Sequence, residues 1–227
     1  MAFAGSKIRV IITGATGMVG EGVLHQCLSH PDVEQVLVIN RRPCGVSHPR
    51  LREILHTNFF NLSPIESQLV HYQACFFCLG VSSVGMREGE YSRITHDLTL
   101  YVAGLLSRLN PEMVFCYVSG EGTDHTERGR IMWARVKGKT ENDLLGLPFK
   151  NAYMFRPGYI HPIKGLKNTH KYYQALSWLY PVLRRFFPQH ATSLKELGMA
   201  MIHSVNRGYD KPILENKDIE KSANSSR

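Results

Sequence analysis

Short apolar runs alternate with amphipathic stretches along most of the chain. The apolar runs predict strands at 7–12, 35–40, 53–57, 74–79, 113–118, 152–155 and 212–214. Helical periodicity predicts helices at about 18–29, 63–70, 91–109, 133–145, 172–186 and 193–206. Because strands that alternate with helices form parallel βαβ units, the pattern predicts an α/β fold. We expect a doubly wound, mostly parallel sheet of the Rossmann type, with a small C-terminal helical elaboration.

The length of 227 residues suits one hydrophobic core rather than two. We therefore expect a single domain over residues 1–216, with a substrate or partner cleft formed largely by residues 157–216. Residues 217–227 are polar and are expected to fray.

Three glycines follow the first predicted strand, in the stretch KIRVIITGATGMVGEG. Gly14 suits a tight turn, Gly17 leaves room for a pyrophosphate, and Gly20 lets the next helix lie against the sheet. The amides that open this helix then face an anion. A loop of this kind between a strand and a helix predicts a dinucleotide site. Its residues are Gly14, Thr16, Gly17, Met18, Val19 and Gly20.

The second predicted strand ends in Asn40, Arg41 and Arg42, about twenty residues beyond the glycine loop, where the adenosine ribose is recognised. An NAD site commonly has a carboxylate at this place. Two guanidinium groups suit a 2′-phosphate instead. The sequence therefore favours NADP(H) over NAD(H).

Other features of the composition bear on compartment and partners. The five cysteines are odd in number and show no disulfide-like spacing, and Cys75 and Cys78 should point to opposite faces of a strand, so no metal site is expected. The sequence shows no signal peptide and no transmembrane run, which leads us to expect a cytoplasmic protein. The net charge of +8 is scattered along the chain, so nucleic acid is not expected as a partner.

An aromatic, apolar segment at 172–187 is interrupted by Pro181. We interpret it as a lid or as a helix pair for a homodimer or protein partner, because exposed apolar patches most often mark such surfaces. A helix on a membrane surface is the alternative.

Several stretches together resemble the atypical short-chain dehydrogenases/reductases, specifically the small NAD(P)-binding group related to the Tat-interacting oxidoreductase and the nucleoside-diphosphate-sugar-epimerase-like proteins. The resemblance extends to about residue 160, and the stretches that carry it are TGATGMVG, NRRP, CLGVSSVGMREGEYSRITHDL, VSGEG, WARVKGKTE and FRPGYI. It implies that Asn58 and Phe59 lie beside the adenine. It also implies that the cofactor is contacted by Leu79, Gly80, Val81 and Pro157.

Members of this group that catalyse hydride transfer use a serine, and a tyrosine four residues before a lysine. By this resemblance Ser119 and Lys137 occupy the serine and lysine positions, and Lys137 would also hold the nicotinamide ribose. Trp133 occupies the tyrosine position. Because an indole donates a hydrogen bond but has no acid–base equilibrium near neutral pH, the usual proton transfer is in doubt.

Three alternatives remain open from the sequence. Another acid replaces the tyrosine, with Tyr159 as the leading candidate, ahead of Tyr91, His125 and His161. The protein binds NADPH without turnover and uses the bound state to favour a partner. In the third alternative Ser119 and Lys137 are structural. We expect an oxidoreductase acting on a small carbonyl or alcohol, with an unknown substrate.

Overall fold

The computed structural model describes residues 7–163, 165–168 and 180–225. Nine strands lie in these ranges: β1 (Ile8–Thr13), β2 (Val33–Asn40), β3 (Leu51–Leu55), β4 (Ala74–Phe77), β5 (Val114–Val118), β6 (Asn151–Arg156), β7 (Tyr159–His161), β8 (Ala191–Ser193) and β9 (Ile213–Glu215). Seven of them form one parallel sheet in the order β3-β2-β1-β4-β5-β6-β9. β7 and β8 pair with each other in parallel. The expected parallel Rossmann sheet is confirmed.

Helices cover both faces of the sheet. They are α1 (Met18–Ser29), α2 (Glu88–Ser92), α3 (Leu98–Leu109), α4 (Met132–Leu145), α5 (Tyr180–Phe186), α6 (Leu194–Arg207) and α7 (Asn216–Asn224). A π-helical turn, Arg93–Asp97, joins α2 to α3 in one continuous helical run. Short 3₁₀ helices lie at Ser63–Gln68 and Pro188–His190. None of the helices in the described ranges has the length and apolarity needed to cross a bilayer.

Alternation along the strands divides the buried side chains into two cores. On β1, Ile8, Val10 and Ile12 face the core that also includes buried residues of α1 and α6, and Ile11 faces the core beneath α3. The side chains of Cys75 and Cys78 likewise pack in different cores, as the sequence predicts. A sheet buried on both faces accounts for the near-continuous apolar runs in the sequence.

The C-terminal helices are held by local sequence signals. The hydroxyl of Ser193 accepts a hydrogen bond from the Glu196 amide, and the Glu196 carboxylate accepts one from the Ser193 amide, which forms a capping box at the start of α6. The helix ends before Gly208, whose φ of +77° favours glycine. These signals place α6 against α1, where Gly22 leaves room for the Leu194 side chain.

Several expectations about the elements are wrong. Residues 217–224 do not fray, because α7 buries Ile219 and Ser222 against the rest of the fold. β7 and β8 were not expected, and the helix expected at 63–70 is a 3₁₀ helix. Residues 172–179 of the aromatic segment lie outside the described residues, whereas the rest of the helix expected at 172–186 corresponds to α5.

Candidate functional site

The glycine loop connects β1 to α1 in a tight turn. Gly14 has a φ of +74°, and a Cβ at this position would lie 2.7 Å from the carbonyl oxygen of Cys78. A Cβ on Gly20 would fall on the carbonyl group of Gly14. Both positions therefore require glycine for the loop to pack against the exit of β4 and the first turn of α1.

Gly17 has a different environment. It is the N-cap of α1, and its missing Cβ would meet only the Gly14 carbonyl oxygen, at an ordinary contact distance of 3.5 Å. A Cβ on Gly80, across the cleft, would meet nothing within 4 Å. The fold itself would accommodate side chains at these two positions, so their absence leaves space beside the first amides of α1, where an anion is favoured.

A cleft of about 240 Å³, open to solvent, extends from this loop along the carboxyl ends of β1, β2 and β4. Most of the residues predicted to hold a cofactor line it. The lining consists of Gly14, Thr16, Gly17, Ile39, Asn40, Arg41, Arg42, Phe59, Cys78, Leu79, Gly80 and Val81. The apolar side chains suit an adenine ring and the amides suit a pyrophosphate, so the cleft fits a dinucleotide.

Two arginines at the end of β2 and a carboxylate on the neighbouring strand differ in their hydrogen bonding. The side-chain amide of Asn40 donates to Glu53 at 2.7 Å, and the main-chain amide of Cys44 donates to the same carboxylate oxygen at 2.9 Å. Arg41 and Arg42 are exposed, and neither guanidinium forms a hydrogen bond or ion pair with any residue in the described ranges. Two cations without a partner among the described residues therefore border the cleft, and one oxygen of the neighbouring Glu53 carboxylate is already engaged.

The side chains of the adjacent residues Asn58 and Phe59 lie in different environments. The Asn58 side chain accepts a hydrogen bond from the Phe60 amide at 3.1 Å and so caps its own turn. Phe59 is buried and lines the cleft. Met18 and Val19 lie in the first turn of α1, behind the loop.

The second group of predicted residues surrounds the carboxyl ends of β5 and β6. The ammonium of Lys137, on α4, donates to the main-chain carbonyl of Ser119. The Ser119 hydroxyl donates to Glu141 at 2.5 Å and lies 3.2 Å from the carbonyl oxygen of Phe155. The Ser119 hydroxyl is thus buried against a carboxylate, and the ammonium of Lys137 is fixed by the backbone of the same serine.

Burial lowers the pKa of Lys137 to about 8, and the negative charge of Glu141 acts in the opposite direction. Glu141 is one turn further along α4, with no exposed surface. Its carboxylate forms an ion pair with Arg156 at the end of β6, and Arg156 also contacts Glu215 at 3.0 Å.

Trp133 lies on α4 one turn before Lys137. A Cβ on Gly122 would lie 3.6 Å from the indole ring, so the ring packs on the loop that follows β5. Pro157 accepts a hydrogen bond at 2.9 Å from the amide of Glu121 in that loop. The structure therefore brings Trp133, Lys137, Ser119 and Pro157 to one edge of the sheet.

The alternative acids occupy distinct environments. Tyr159 is half-buried on β7, its ring centroid lies 6.3 Å from that of Tyr180, and burial raises its pKa. Tyr91 is buried, and burial raises its pKa too. His161 stacks on Tyr180 with ring centroids 4.0 Å apart. His125 is exposed in a loop.

Sequence reasoning missed the buried pair Glu141 and Arg156, and also the contact between Glu121 and His190 at the rim of a second cleft. The spacing of Glu141 four residues after Lys137 was a usable signal, because residues at that spacing share a helix face. The partner of Glu141 is fifteen residues away in sequence and is visible only in the folded chain.

Solved structures with the same fold include enzymes that bind nucleotides. WbmG of Bordetella bronchiseptica, solved with NAD, has a TM-score of 0.68 at 12% identity, over 96% of this chain and 77% of that chain. A short chain dehydrogenase family protein of Francisella tularensis has a TM-score of 0.62 at 13% identity, over 89% of this chain and 93% of that one. At these identities the comparison shows the fold alone.

Several relatives in sequence are fungal proteins. "Protein fmp52-1, mitochondrial" of Aspergillus oryzae is 28% identical over 66% of this chain and 64% of its own length. "Protein FMP52, mitochondrial" of Saccharomyces cerevisiae is 27% identical over 71% of this chain and 68% of its own. The match thus spans just under two thirds of the Aspergillus protein. The expectation of a cytoplasmic protein is wrong by this comparison, because these relatives are named as mitochondrial proteins.

The sequence model described as the NAD dependent epimerase/dehydratase family matches residues 10–131, more than half of the chain. The matched region includes the glycine loop, the end of β2 and the exit of β4. This confirms the resemblance to epimerase-like short-chain dehydrogenases/reductases. The chain therefore belongs to the NAD dependent epimerase/dehydratase family.

Proposed function

We propose that the protein binds NADP(H) in the cleft beside the glycine loop. The loop and the first amides of α1 hold the pyrophosphate, and Arg41 and Arg42 pair with the 2′-phosphate of the adenosine ribose. The observation that carries this proposal is that the two guanidiniums on the cleft pair with no described residue, beside a carboxylate whose Oε1 already accepts from Asn40 and the Cys44 amide. An NAD site would instead offer a carboxylate to the ribose hydroxyls.

The proposed reaction is hydride transfer to or from a small carbonyl or alcohol. The nicotinamide, when bound, supplies or accepts the hydride. Lys137 holds the ribose beside it, and the indole N–H of Trp133 donates a hydrogen bond to the substrate oxygen. Tyr159 is the proposed proton donor, because the resemblance places the loop before it beside the nicotinamide and its hydroxyl is protonated at neutral pH; burial raises its pKa, which makes it a weaker acid than an ordinary tyrosine.

One observation favours a second candidate function: Trp133 occupies the position of the expected tyrosine. A chain with no acid at this position can bind NADPH and use the bound state to stabilise one conformation for a partner, without transferring a hydride. Replacing Trp133→Tyr separates the two candidates. Turnover of a carbonyl panel by the native protein, lost in Tyr159→Phe, supports the enzyme, whereas turnover that appears only in Trp133→Tyr supports the binding protein.

Cofactor choice is tested by titrating NADPH and NADH into the native protein and into the double variant Arg41→Ala/Arg42→Ala. Loss of the charge-assisted contacts should weaken NADPH about tenfold or more and leave NADH nearly unchanged. Arg108→Ala is the matched control, because Arg108 is exposed in the last turn of α3 and pairs only loosely with Glu66, at 3.7 Å. Equal losses for both cofactors would contradict the proposal.

A further inference from the structure

A series of contacts runs from Arg156 through Glu141 and Ser119 to the ammonium of Lys137. Its ammonium is held by the main-chain carbonyl of Ser119, and the side chain of the same serine donates to Glu141 at 2.5 Å. Ser119 thus contacts Lys137 through its backbone and Glu141 through its hydroxyl. The Ser119 amide also donates to the Phe155 carbonyl at 2.9 Å, so Phe155 and Glu141 together hold the serine that fixes the ammonium.

Arg156 holds Glu141 in place. Its Nε lies 3.1 Å from each carboxylate oxygen of Glu141, and its Nη2 lies 2.5 Å from Oε2. Its remaining nitrogen donates to Glu215 at 3.0 Å, at the start of α7. Since a fork of this kind fixes both distance and orientation, the carboxylate has one well-defined position.

We propose that Glu141 and Arg156 are positioning residues for Lys137: they hold Ser119, whose carbonyl binds the ammonium, and the charge of Glu141 acts on that ammonium directly. The proposal rests on the proposed function, because the cofactor ribose is the group that Lys137 would hold. It goes further by assigning a role to two residues that the proposed function leaves without one. A purely structural pair would stabilise the fold without affecting the chemistry of Lys137.

Charged and titratable groups from several elements face this series of contacts. On α4, Glu141 is the ionisable group whose charge acts on Lys137. From β5, Tyr117 faces Glu141, and from α2, Tyr91 faces Tyr117. Arg156 reaches Glu141 from β6, and Glu215 reaches Arg156 from β9. Burial lowers the pKa of Lys137 and Glu141 opposes this effect, so removing the Glu141 charge should lower that pKa further.

The test measures the ammonium directly, without any cofactor. Acetic anhydride labels neutral amines, and peptide mass spectrometry reports how labelling of Lys137 depends on pH. We expect a midpoint near 8 in the native protein and a clearly lower midpoint in Glu141→Gln. Glu215→Gln is the matched control, because it removes the outer carboxylate of the same arginine and should leave the midpoint unchanged.

The double variant Glu141→Gln/Arg156→Met guards against loss of the fold, because it leaves no unpaired buried charge. It should also shift the midpoint downward, by less than Glu141→Gln does, because the positive charge of Arg156 is removed with the carboxylate. An unchanged midpoint in both Glu141 variants, with only a loss of thermal stability, would overturn the proposal.

NADPH titration of the same variants separates this inference from the proposed function. We expect Glu141→Gln to bind NADPH more weakly than the native protein at a pH between the two labelling midpoints, where its Lys137 is neutral and the native Lys137 is still charged. If the native protein binds no NADPH while the labelling midpoint still shifts, the proposed function fails and the assignment of Glu141 and Arg156 stands.

Discussion

The guanidinium of Arg156 and the carboxylate of Glu141 form a buried fork in which both carboxylate oxygens are engaged, at distances between 2.5 and 3.1 Å. The fork joins the end of β6 to the middle of α4, the helix that carries Trp133 and Lys137. It therefore connects the sheet directly to the proposed catalytic helix.

Removing one partner of the Glu141–Arg156 ion pair should lower the free energy of unfolding far more than removing both partners. Arg156→Met leaves the Glu141 charge buried and unpaired, so we expect a loss of about 3–5 kcal/mol in the free energy of unfolding. Glu141→Gln/Arg156→Met should cost much less, because no buried charge remains. Urea unfolding of both variants provides the measurement, and equal losses would show that the pair is not a coupled unit.

Glycine substitutions should separate folding from cofactor binding. Gly17→Ala places a Cβ 3.5 Å from the nearest carbonyl oxygen, so we expect a change in stability within about 1 kcal/mol but weaker NADPH binding. Gly20→Ala places its Cβ on the Gly14 carbonyl and should impair both properties. Gly104→Ala, in α3, meets nothing within 4 Å and should stabilise the fold by about 0.5–1 kcal/mol.

Unfolding experiments and NADPH titrations are made on all three glycine variants in the same way. Gly104→Ala shows whether an added methyl group affects binding through general effects on the fold. Unimpaired NADPH binding by Gly17→Ala would exclude the cleft as the pyrophosphate site.

The lowered pKa of Lys137 predicts a pH-dependent stability difference. Its folded-state pKa is about 8, below the ordinary value of 10.5, so the unfolded chain binds the proton more tightly. Below pH 8 the folded protein bears the cost of a partly buried ammonium. Lys137→Met should therefore raise the free energy of unfolding near pH 7, and this gain should decline between pH 8 and 10.5. Urea midpoints across this range measure the trend, and a pH-independent difference would contradict it.

The last described helix should contribute strongly to stability. Ile219 of α7 has no exposed surface, so Ile219→Asp buries a charge and should destabilise the protein by about 3 kcal/mol or more. Lys217→Asp, on the exposed side of the same helix, should change the stability by about 0.5 kcal/mol or less. Thermal unfolding compares the two, and equal behaviour would mean that α7 is frayed in solution.

Local spacing was enough to predict the parallel sheet and the glycine loop. β7 and β8 were missed because three residues are too few to show a period, and α7 because Ile219 is nearly its only apolar anchor. Arg41 and Arg42 were found from their position after β2. The fork between Glu141 and Arg156 was not, since it depends on side chains brought together by two different elements. The roles of Ser119 and Tyr159 stay predictions.

The central claim is that the cleft holds NADP(H). Isothermal titration of the native protein with NADPH and with NADH, at one pH and ionic strength, tests it most directly. We expect NADPH to bind at least about tenfold more tightly, because Arg41 and Arg42 pair with no described residue and can meet the additional phosphate. Tighter or equal binding of NADH would contradict the claim.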